Sequence, residues 1–546
     1  MEKAIASIHW KYALFLVFIV LLVYAPAASY PFLVLDDTPF IVQNPSVHDW
    51  SWLPFYFTGA AGHGREGAKV PNLYRPLPGT WTLLNYKMLG LRPGLWHLLA
   101  VLLYALGVFL VWRVALKLTG NDFVAVAAAL LYGLHPLHVE GVVWLSGACV
   151  ETILNIFFLA GFLAYLRWRE SGSTAWLLGF ALLTLCALFS KETAIALPVL
   201  ICVHALVFRE RDNAASRRSV VLPVVTMVLT VALYAVVRRL AIHGVVAPRP
   251  HHNWADVLRT APLLFVTYIQ HALWPSRLGM WYDTPVVTSL NDPKFWLPLF
   301  GCIAYAAVTI WLLRRRMLAG FLLLWWALAL IAPIVGVLAF QDGEILHDRF
   351  AFVALAGLCM LVACGLARIP ARGRLLFGFS ASSVAVTAVL TILLGALTAQ
   401  QVPSWRNDVA MYSRAVEVSP RAVKPRILLA NEFLKRNDFA HALELDRSAL
   451  AIDPHRWDTL FAYGITLASA GQKREAVHAL VQAAEVAPGQ TAIYSGWARI
   501  LIQAGDVNGA IQVLRYGITV ADAPDDLQYQ LNQLLAAVRA RGPEHP

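Results

Sequence analysis

Long apolar runs separated by short polar stretches fill the chain as far as Gln400, and beyond it the pattern changes to mixed-charge amphipathic sequence. Runs of about 20 residues, the length that spans hydrocarbon, begin near Tyr12, Leu95, Phe123, Val150, Ala175, Thr193, Val220, Phe295, Ala319, Phe350 and Leu375. They predict about eleven membrane helices. Basic residues gather between them at Lys3 and Lys11, Arg113 and Lys117, Arg167 and Arg169, Arg209 to Arg218, Arg314 to Arg316, and Arg368 to Arg374. Strict alternation puts all six clusters on the cytoplasmic side, with the N-terminus inside and the chain after Gln400 outside. Val257 to Trp274 would break that alternation as a span, so it is read as interfacial or re-entrant, and Arg238 and Arg239 stay as outer-side exceptions.

After Gln400 a fixed period appears. Pro420, Pro454 and Pro488 recur at intervals of 34, as do Ala415, Ala449, Ala483 and Gly517, then Ala442, Ala476 and Ala510, then Ala430, Gly464 and Ala498, and Asn437, Gly471 and Gly505. Small residues where paired helices cross, and a Pro ending the second helix of each pair, are the signature of the tetratricopeptide repeat. The expected fold class is all-α: a polytopic membrane helical bundle over 1–400, a soluble α-solenoid of repeats over 401–524, and a capping helix (Leu527 to Arg539) with a tail over 525–546.

Composition agrees. Of 546 residues 59% are hydrophobic and 14% charged, which excludes a soluble globular domain. The net charge of +11 lies in short clusters that set topology, so it does not point to nucleic acid. Cys149, Cys186, Cys202, Cys302, Cys359 and Cys364 lie in or beside apolar runs without a CxxC pair and read as small buried hydrophobes. Ala25-Pro26-Ala27-Ala28 resembles a signal-peptidase site, but the first run is expected to remain as an uncleaved signal anchor.

The same topology brings five polar clusters to the outer face: Asp36-Asp37, Tyr74-Arg75-Pro76-Leu77, His135-Pro136-Leu137-His138-Val139-Glu140, Ser190-Lys191-Glu192 and His347-Asp348-Arg349-Phe350. Three of them have a local structural explanation: Asp37-Thr38-Pro39 starts a helix well, Lys191-Glu192 is a ready ion pair, and the His pair sits at a Pro-broken helix end. Their concentration where the positive-inside rule disfavours cations is not explained that way. Such a set suits transfer of a group from a lipid-linked phosphate donor to a hydroxyl, with a carboxylate removing the hydroxyl proton and cations or a metal stabilising the departing phosphate. Asp36 or Asp37 is the candidate base. Arg349, Lys191, Arg75 and His135 are candidate phosphate binders, with His138, Glu140, Glu192, His347 and Asp348 as auxiliary or substrate-contacting groups. His135 and His138 share a helical face and are candidate ligands, with Asp36 or Asp37, for a divalent metal such as Mg or Mn. Trp281-Tyr282-Asp283 either lines a sugar site or belongs to an aromatic belt.

Read in order, these clusters together with Trp144-Leu145-Ser146-Gly147, Trp405-Arg406-Asn407-Asp408 and the terminal repeats resemble the transmembrane and tetratricopeptide-repeat-containing O-mannosyltransferases and their bacterial relatives. The resemblance covers nearly the whole chain. It implies a GT-C glycosyltransferase fold, a polyprenyl- or dolichyl-phosphate sugar as donor, and a catalytic acid pair in the first outer loop, which Asp36 and Asp37 match. Eukaryotic members use dolichyl phosphate mannose to modify Ser or Thr of secretory-pathway proteins. Arg349 matches the arginine of the family's late Glu-Arg-Tyr-like motif, written here Asp348-Arg349-Phe350. After Trp144-Leu145-Ser146-Gly147 this chain has Ala148 and Cys149 where the family usually has an Arg, and the next acid is Glu151.

The resulting expectation is an inverting glycosyltransferase of a bacterial inner membrane, with cytoplasmic N-terminus and periplasmic repeats, or of the endoplasmic reticulum with lumenal repeats in a eukaryote. The repeats would offer a groove to a polypeptide acceptor or a partner protein. The rival readings are a membrane-anchored repeat scaffold without catalysis, and a transporter of lipid-linked sugars.

Overall fold

The computed structural model describes residues 2–59, 73–208, 214–242, 251–340, 343–370, 375–376 and 378–540. The basic clusters at Arg209 to Arg218 and Arg368 to Arg374, and the expected tail, lie partly or wholly outside the described residues. The chain divides into two compact units, Met1–Met411 and Tyr412–Pro546.

The first unit is built from α1 (Glu2–Tyr24), α2 (Leu53–Thr58), α3 (Pro76–Leu89), α4 (Pro93–Thr119), α5 (Asp122–Gly133), α6 (Val139–Val143), α7 (Leu145–Ser171), α8 (Thr174–Ser190), α9 (Ala196–Val207), α10 (Ala214–Ala241), α11 (Trp254–Leu273), α12 (Pro293–Arg314), α13 (Leu318–Val335), α14 (Ala354–Leu366) and α15 (Ala381–Gln401). Among the described residues seven helices, those of α1, α4, α7, α10, α12, α13 and α15, are long and apolar enough to cross a membrane. An eighth span arises if α5 and the segment Pro136–Val143, bent by 51°, count as one. The protein is an integral, multi-pass membrane protein.

All eleven expected runs have a helical counterpart, but α8, the segment Glu192–Val207 and α14 are shorter. The 17 residues of α8 extend about 25 Å, less than a hydrocarbon core of about 30 Å. Two expected onsets also shift. His347 to Phe350 precedes its helix, with Asp348–Ala351 wound as a single 3-10 turn. Leu375–Leu376 pairs antiparallel with Phe379–Ser380 in a hairpin before α15 begins. The interfacial or re-entrant segment is a helix of 20 residues, α11.

Around α7 the packing is close. α7 lies against α4, α6, α8 and α9, while α14 lies against α5 and α13. At Gly357 a Cβ would stand 2.8 Å from the Leu322 carbonyl oxygen and 2.9 Å from the Trp325 Cβ, so the backbones of α14 and α13 meet only because this side chain is missing. α7 ends at Gly172, which adopts φ 63° and donates to the Trp168 carbonyl, and α8 follows at once. At its other end α7 is preceded by Trp144, which offers no side-chain cap. The donors of its first turn need partners from elsewhere in the chain.

In the second unit helix pairs follow one another: α16 (Asp408–Val418), which begins just before the unit, then α17 (Val423–Lys435), α18 (Phe439–Ile452), α19 (Trp457–Ser469), α20 (Lys473–Val486), α21 (Thr491–Gln503), α22 (Val507–Val520) and α23 (Asp525–Ala540). The period of 34 has a physical cause at three of its five positions. Asn437, Gly471 and Gly505 take φ of 59°, 80° and 82°, the left-handed turn between the two helices of a pair. Ala442, Ala476 and Ala510 are buried, as are Ala415, Ala449 and Ala483. At the last position of that series, Gly517, a Cβ would meet the Tyr494 ring at 2.6 Å.

Candidate functional site

The acid loop and the late arginine motif meet at the N-terminus of α7. Asp37 is buried, and its Oδ1 accepts from the Ser146 N–H at 2.8 Å while Oδ2 accepts from the Leu33 N–H at 3.0 Å. It is thus the missing N-cap of α7, supplied from far away in sequence. Burial pushes its carboxyl up to about 6, against the two backbone donors that hold the anion. Asp36 is only partly buried, and its backbone carbonyl accepts from Phe40 N–H at 2.9 Å. The two acids therefore differ in kind: one is buried and tied to a helix end, the other is only partly buried.

The loop is held from a second direction. Asp408 Oδ1 accepts from the Val34 N–H at 2.8 Å, and Trp405 stacks on Trp144 with centroids 5.9 Å apart. The Trp405-Arg406-Asn407-Asp408 motif thus clamps the acid loop.

On the other side of the same helical turn lies Arg349. Its guanidinium stands 4.5 Å over the Trp144 ring, and its Cδ is 3.8 Å from where a Cβ on Gly147 would be. Glu140, 2% exposed, fixes it: Oε1 pairs with the Arg349 guanidinium and Oε2 accepts the Arg349 backbone N–H at 3.0 Å. The same carboxylate accepts from His347 Nδ1 at 3.0 Å. Burial, and then the Arg349 charge, hold the His347 pKa down, so its ring donates as a neutral imidazole. Asp348 turns the other way, accepting from the Tyr282 hydroxyl at 2.6 Å and from His271 Nδ1 at 3.3 Å.

Lys191 and Arg75 complete a row of cations. Lys191 Nζ lies 2.5 Å from Glu151 Oε1, both buried, and 4.7 Å over the Phe350 ring, which Arg349 also approaches at 5.3 Å. Arg75 donates to Glu192 at 2.6 and 3.0 Å. Lys191 is within electrostatic reach of both Arg75 and Arg349.

Several expectations change. His135 donates from Nε2 to the Ala272 carbonyl at 2.9 Å and accepts from the Leu137 N–H at Nδ1, 3.2 Å. With both ring nitrogens engaged by backbone, it has no lone pair for a metal and no hydrogen for a phosphate. His138 is packed against the Tyr104, Tyr132 and Phe352 rings, with Nε2 3.3 Å from the Phe352 carbonyl oxygen. It is a core residue. Among the described residues no group of three His, Cys, Asp or Glu side chains comes together to hold a metal ion, so the ligand set of Asp36 or Asp37 with His135 and His138 does not fit a divalent cation. Glu192 does not pair with its neighbour Lys191 but with Arg75, and Glu151 takes the lysine. Glu140 and Glu192 hold arginines, His347 donates to Glu140, and Asp348 is engaged by Tyr282 and His271. Trp281 and Tyr282 are buried, Tyr282 holding Asp348, which removes Tyr282 from a sugar-lining role. Glu151, the Trp144 platform and the Asp408 clamp are the contributors that residue type alone did not single out.

No family model matches the chain. It is similar to a protein O-mannosyl-transferase of Caenorhabditis elegans, 22% identical in an alignment 444 residues long that covers 76% of this chain and 60% of that protein. To protein O-mannosyl-transferase TMTC3 of Mus musculus it is 24% identical in an alignment of 526 positions that covers 89% of this chain and 56% of the relative. To human TMTC1, of the same description, it is 24% identical over 481 residues, 78% and 53%. The chain thus spans about 60% or less of the length of these curated relatives. Among solved structures, that of ArnT from Cupriavidus metallidurans bound to undecaprenyl phosphate aligns with a TM-score of 0.38 at 17% identity, over 88% of this chain and 80% of that one. The relatives that cover most of this chain are protein O-mannosyl-transferases, the group that the order of its motifs resembles.

Proposed function

We propose that the chain is a GT-C-type membrane glycosyltransferase that moves mannose or another hexose from a polyprenyl- or dolichyl-phosphate donor to a hydroxyl, that of Ser or Thr in a polypeptide, on the outer face of its membrane. The observation that carries this reading is the pair of groups flanking the first turn of α7: the acid loop, bound through Asp37 to Ser146, and Arg349, lying against Gly147. General base and phosphate-binding cation are what such a transfer needs side by side.

In the reaction, the acceptor O–H gives its proton to the Asp36 carboxylate, the oxygen bonds to the anomeric carbon, and the bond from that carbon to the donor phosphate oxygen breaks with inversion. The lipid phosphate leaves as a dianion, met by Arg349 and by Lys191, with Arg75 beyond it. Asp37 positions the loop. Glu140 and the Trp144 face keep Arg349 in one orientation, and a preorganised cation needs no rearrangement as charge develops. Each cation has a glutamate partner, so the phosphate adds acceptors to existing pairs. The repeat unit, read as tetratricopeptide repeats, presents the acceptor polypeptide or docks a partner.

The test uses purified protein in nanodiscs with radiolabelled polyprenyl-phosphate mannose, hexosamine and pentose donors and a mixture of Ser/Thr-containing polypeptides. Transfer should occur from one donor, fall at least about a hundredfold in Asp36→Asn, and fall similarly in Arg349→Ala with donor binding weakened. Absence of transfer from all donors, with equal donor binding by wild type and Arg349→Ala, would overturn the reading.

A further inference from the structure

The end of α7 opposite the candidate site holds a cavity. Ser146 and Arg167 lie 21 residues apart on this helix, about 31 Å at 1.5 Å per residue, close to the thickness of a bilayer core. Here a hollow of about 500 Å³ opens between α4, α7 and α8, lined by Arg113, Arg167, Glu170 and Trp176 at its polar end and by Ala160 and Leu183 along its wall. It contains none of the groups assigned to transfer.

Its charges are unequal. Lys117 takes Glu170 at 2.6 Å, leaving that carboxylate 3.9 Å from Arg167. Arg113 has no carboxylate within ion-pair distance among the described residues; its guanidinium lies 5.6 Å over the Trp112 ring. Two cations therefore share one acid, and a third stands beside them without one. The tendency of basic residues to gather at one membrane face accounts for the charge, but not for a hollow between three packed helices. Basic pockets between membrane helices, with apolar walls continuing into the hydrocarbon, suit an anionic lipid head group.

We propose that this cavity binds an anionic phospholipid, its phosphate between Arg113 and Arg167 and one acyl chain along Ala160 and Leu183. A phosphate there is bridged by two guanidiniums, each able to give paired donors, and Trp176, 44% exposed, sits where an indole borders the head-group layer. The site belongs to this chain whether or not it transfers sugar.

The experiment is native mass spectrometry of the full chain released from mixed micelles of phosphatidylglycerol and phosphatidylcholine, with parallel runs in millimolar inorganic phosphate. Wild type should retain phosphatidylglycerol about tenfold over phosphatidylcholine, and the double variant Arg113→Gln, Arg167→Gln should lose that preference. Ala160→Phe, which keeps both arginines and fills the wall, should release the lipid as well, and this variant decides the matter should the double variant fail to fold. Arg113→Lys with Arg167→Lys should retain part of the preference. Equal retention of the two lipids by wild type, or an unchanged preference in Ala160→Phe, overturns the proposal. So does displacement of the lipid by inorganic phosphate together with undiminished phosphate binding in Ala160→Phe, which would make the site one for free anions.

Discussion

The two ends of α7 treat charge in opposite ways. At its N-terminus Arg349 and Lys191 are matched by buried glutamates, Glu140 and Glu151, and laid against the Trp144 and Phe350 rings. At its C-terminus Lys117 and Arg167 share Glu170, whose side chain is half exposed, and Arg113 stands beside them without a carboxylate partner among the described residues. Burying an ion pair costs desolvation that pairing only partly recovers, so such pairs persist where exact placement matters more than stability. Half-exposed cations keep their water and adapt to whatever anion arrives. One end is arranged to hold a geometry, the other to accept a charge.

The sharpest way to break this comparison is to remove one acid from each end. Glu140→Ala leaves the Arg349 and His347 side chains without their buried partner, for which about 3–5 kcal/mol of destabilisation is expected. Thermal unfolding in detergent, followed by size-exclusion chromatography, should show a large loss of folded protein. Glu140→Gln, which keeps an acceptor oxygen, should lose less. If Glu140→Ala unfolds no earlier than Glu170→Ala, the two ends are alike.

Next in size is the pH response of Asp37, which lies outside the spans. Its folded pKa, about 6, is above the ordinary 3.8, so the folded state takes up this proton first. The group's contribution to stability is therefore gained as pH falls from above 6 towards 4 and lost as pH rises through 6. Asp37→Asn, permanently neutral yet able to accept from Ser146, should flatten that slope. Asp37→Ala should cost about 1 kcal/mol as a lost helix cap. Activity should run the other way, falling below pH 6 as the loop loses its anion. Asp37→Asn should lose that acid limb while keeping more activity than Asp36→Asn at pH 7.5. An unchanged limb would assign it to another group.

How much of this was legible follows from range. The spans and the period of 34 rest on local patterns, since each apolar run or turn glycine carries its reason within a few residues. The motifs were legible as a series, but the partnerships were not. Glu140 and Arg349 are 209 residues apart. Lys191 and Glu192 read as an ion pair because they are adjacent, yet neighbouring residues on a turn of helix point apart, and the structure sends them to Glu151 and Arg75. By residue type His135 looks like a ligand, since type does not reveal that the Ala272 carbonyl and the Leu137 N–H already occupy its nitrogens. In the sequence Asp37 reads as a cap for its own helix and as a candidate base. It caps a helix, but a distant one.

Between the two ends in character stands Arg75 with Glu192, whose side chains are 25% and 31% exposed. Arg75 holds Glu192 through two guanidinium nitrogens, but its solvent access approaches that of Lys117 with Glu170. Glu192→Gln should therefore destabilise by no more than about 1 kcal/mol, and Lys117→Ala by less, with the smaller effect vanishing in high salt because exposed pairs are screened over about 10 Å at 0.1 M. Melting curves of both variants at low and high ionic strength separate the two: a salt-insensitive loss in Glu192→Gln beside a salt-sensitive one in Lys117→Ala would put Arg75 with the fixed cations of the candidate site. Equal salt sensitivity would move Arg75 out of that row and leave phosphate binding to Arg349 and Lys191.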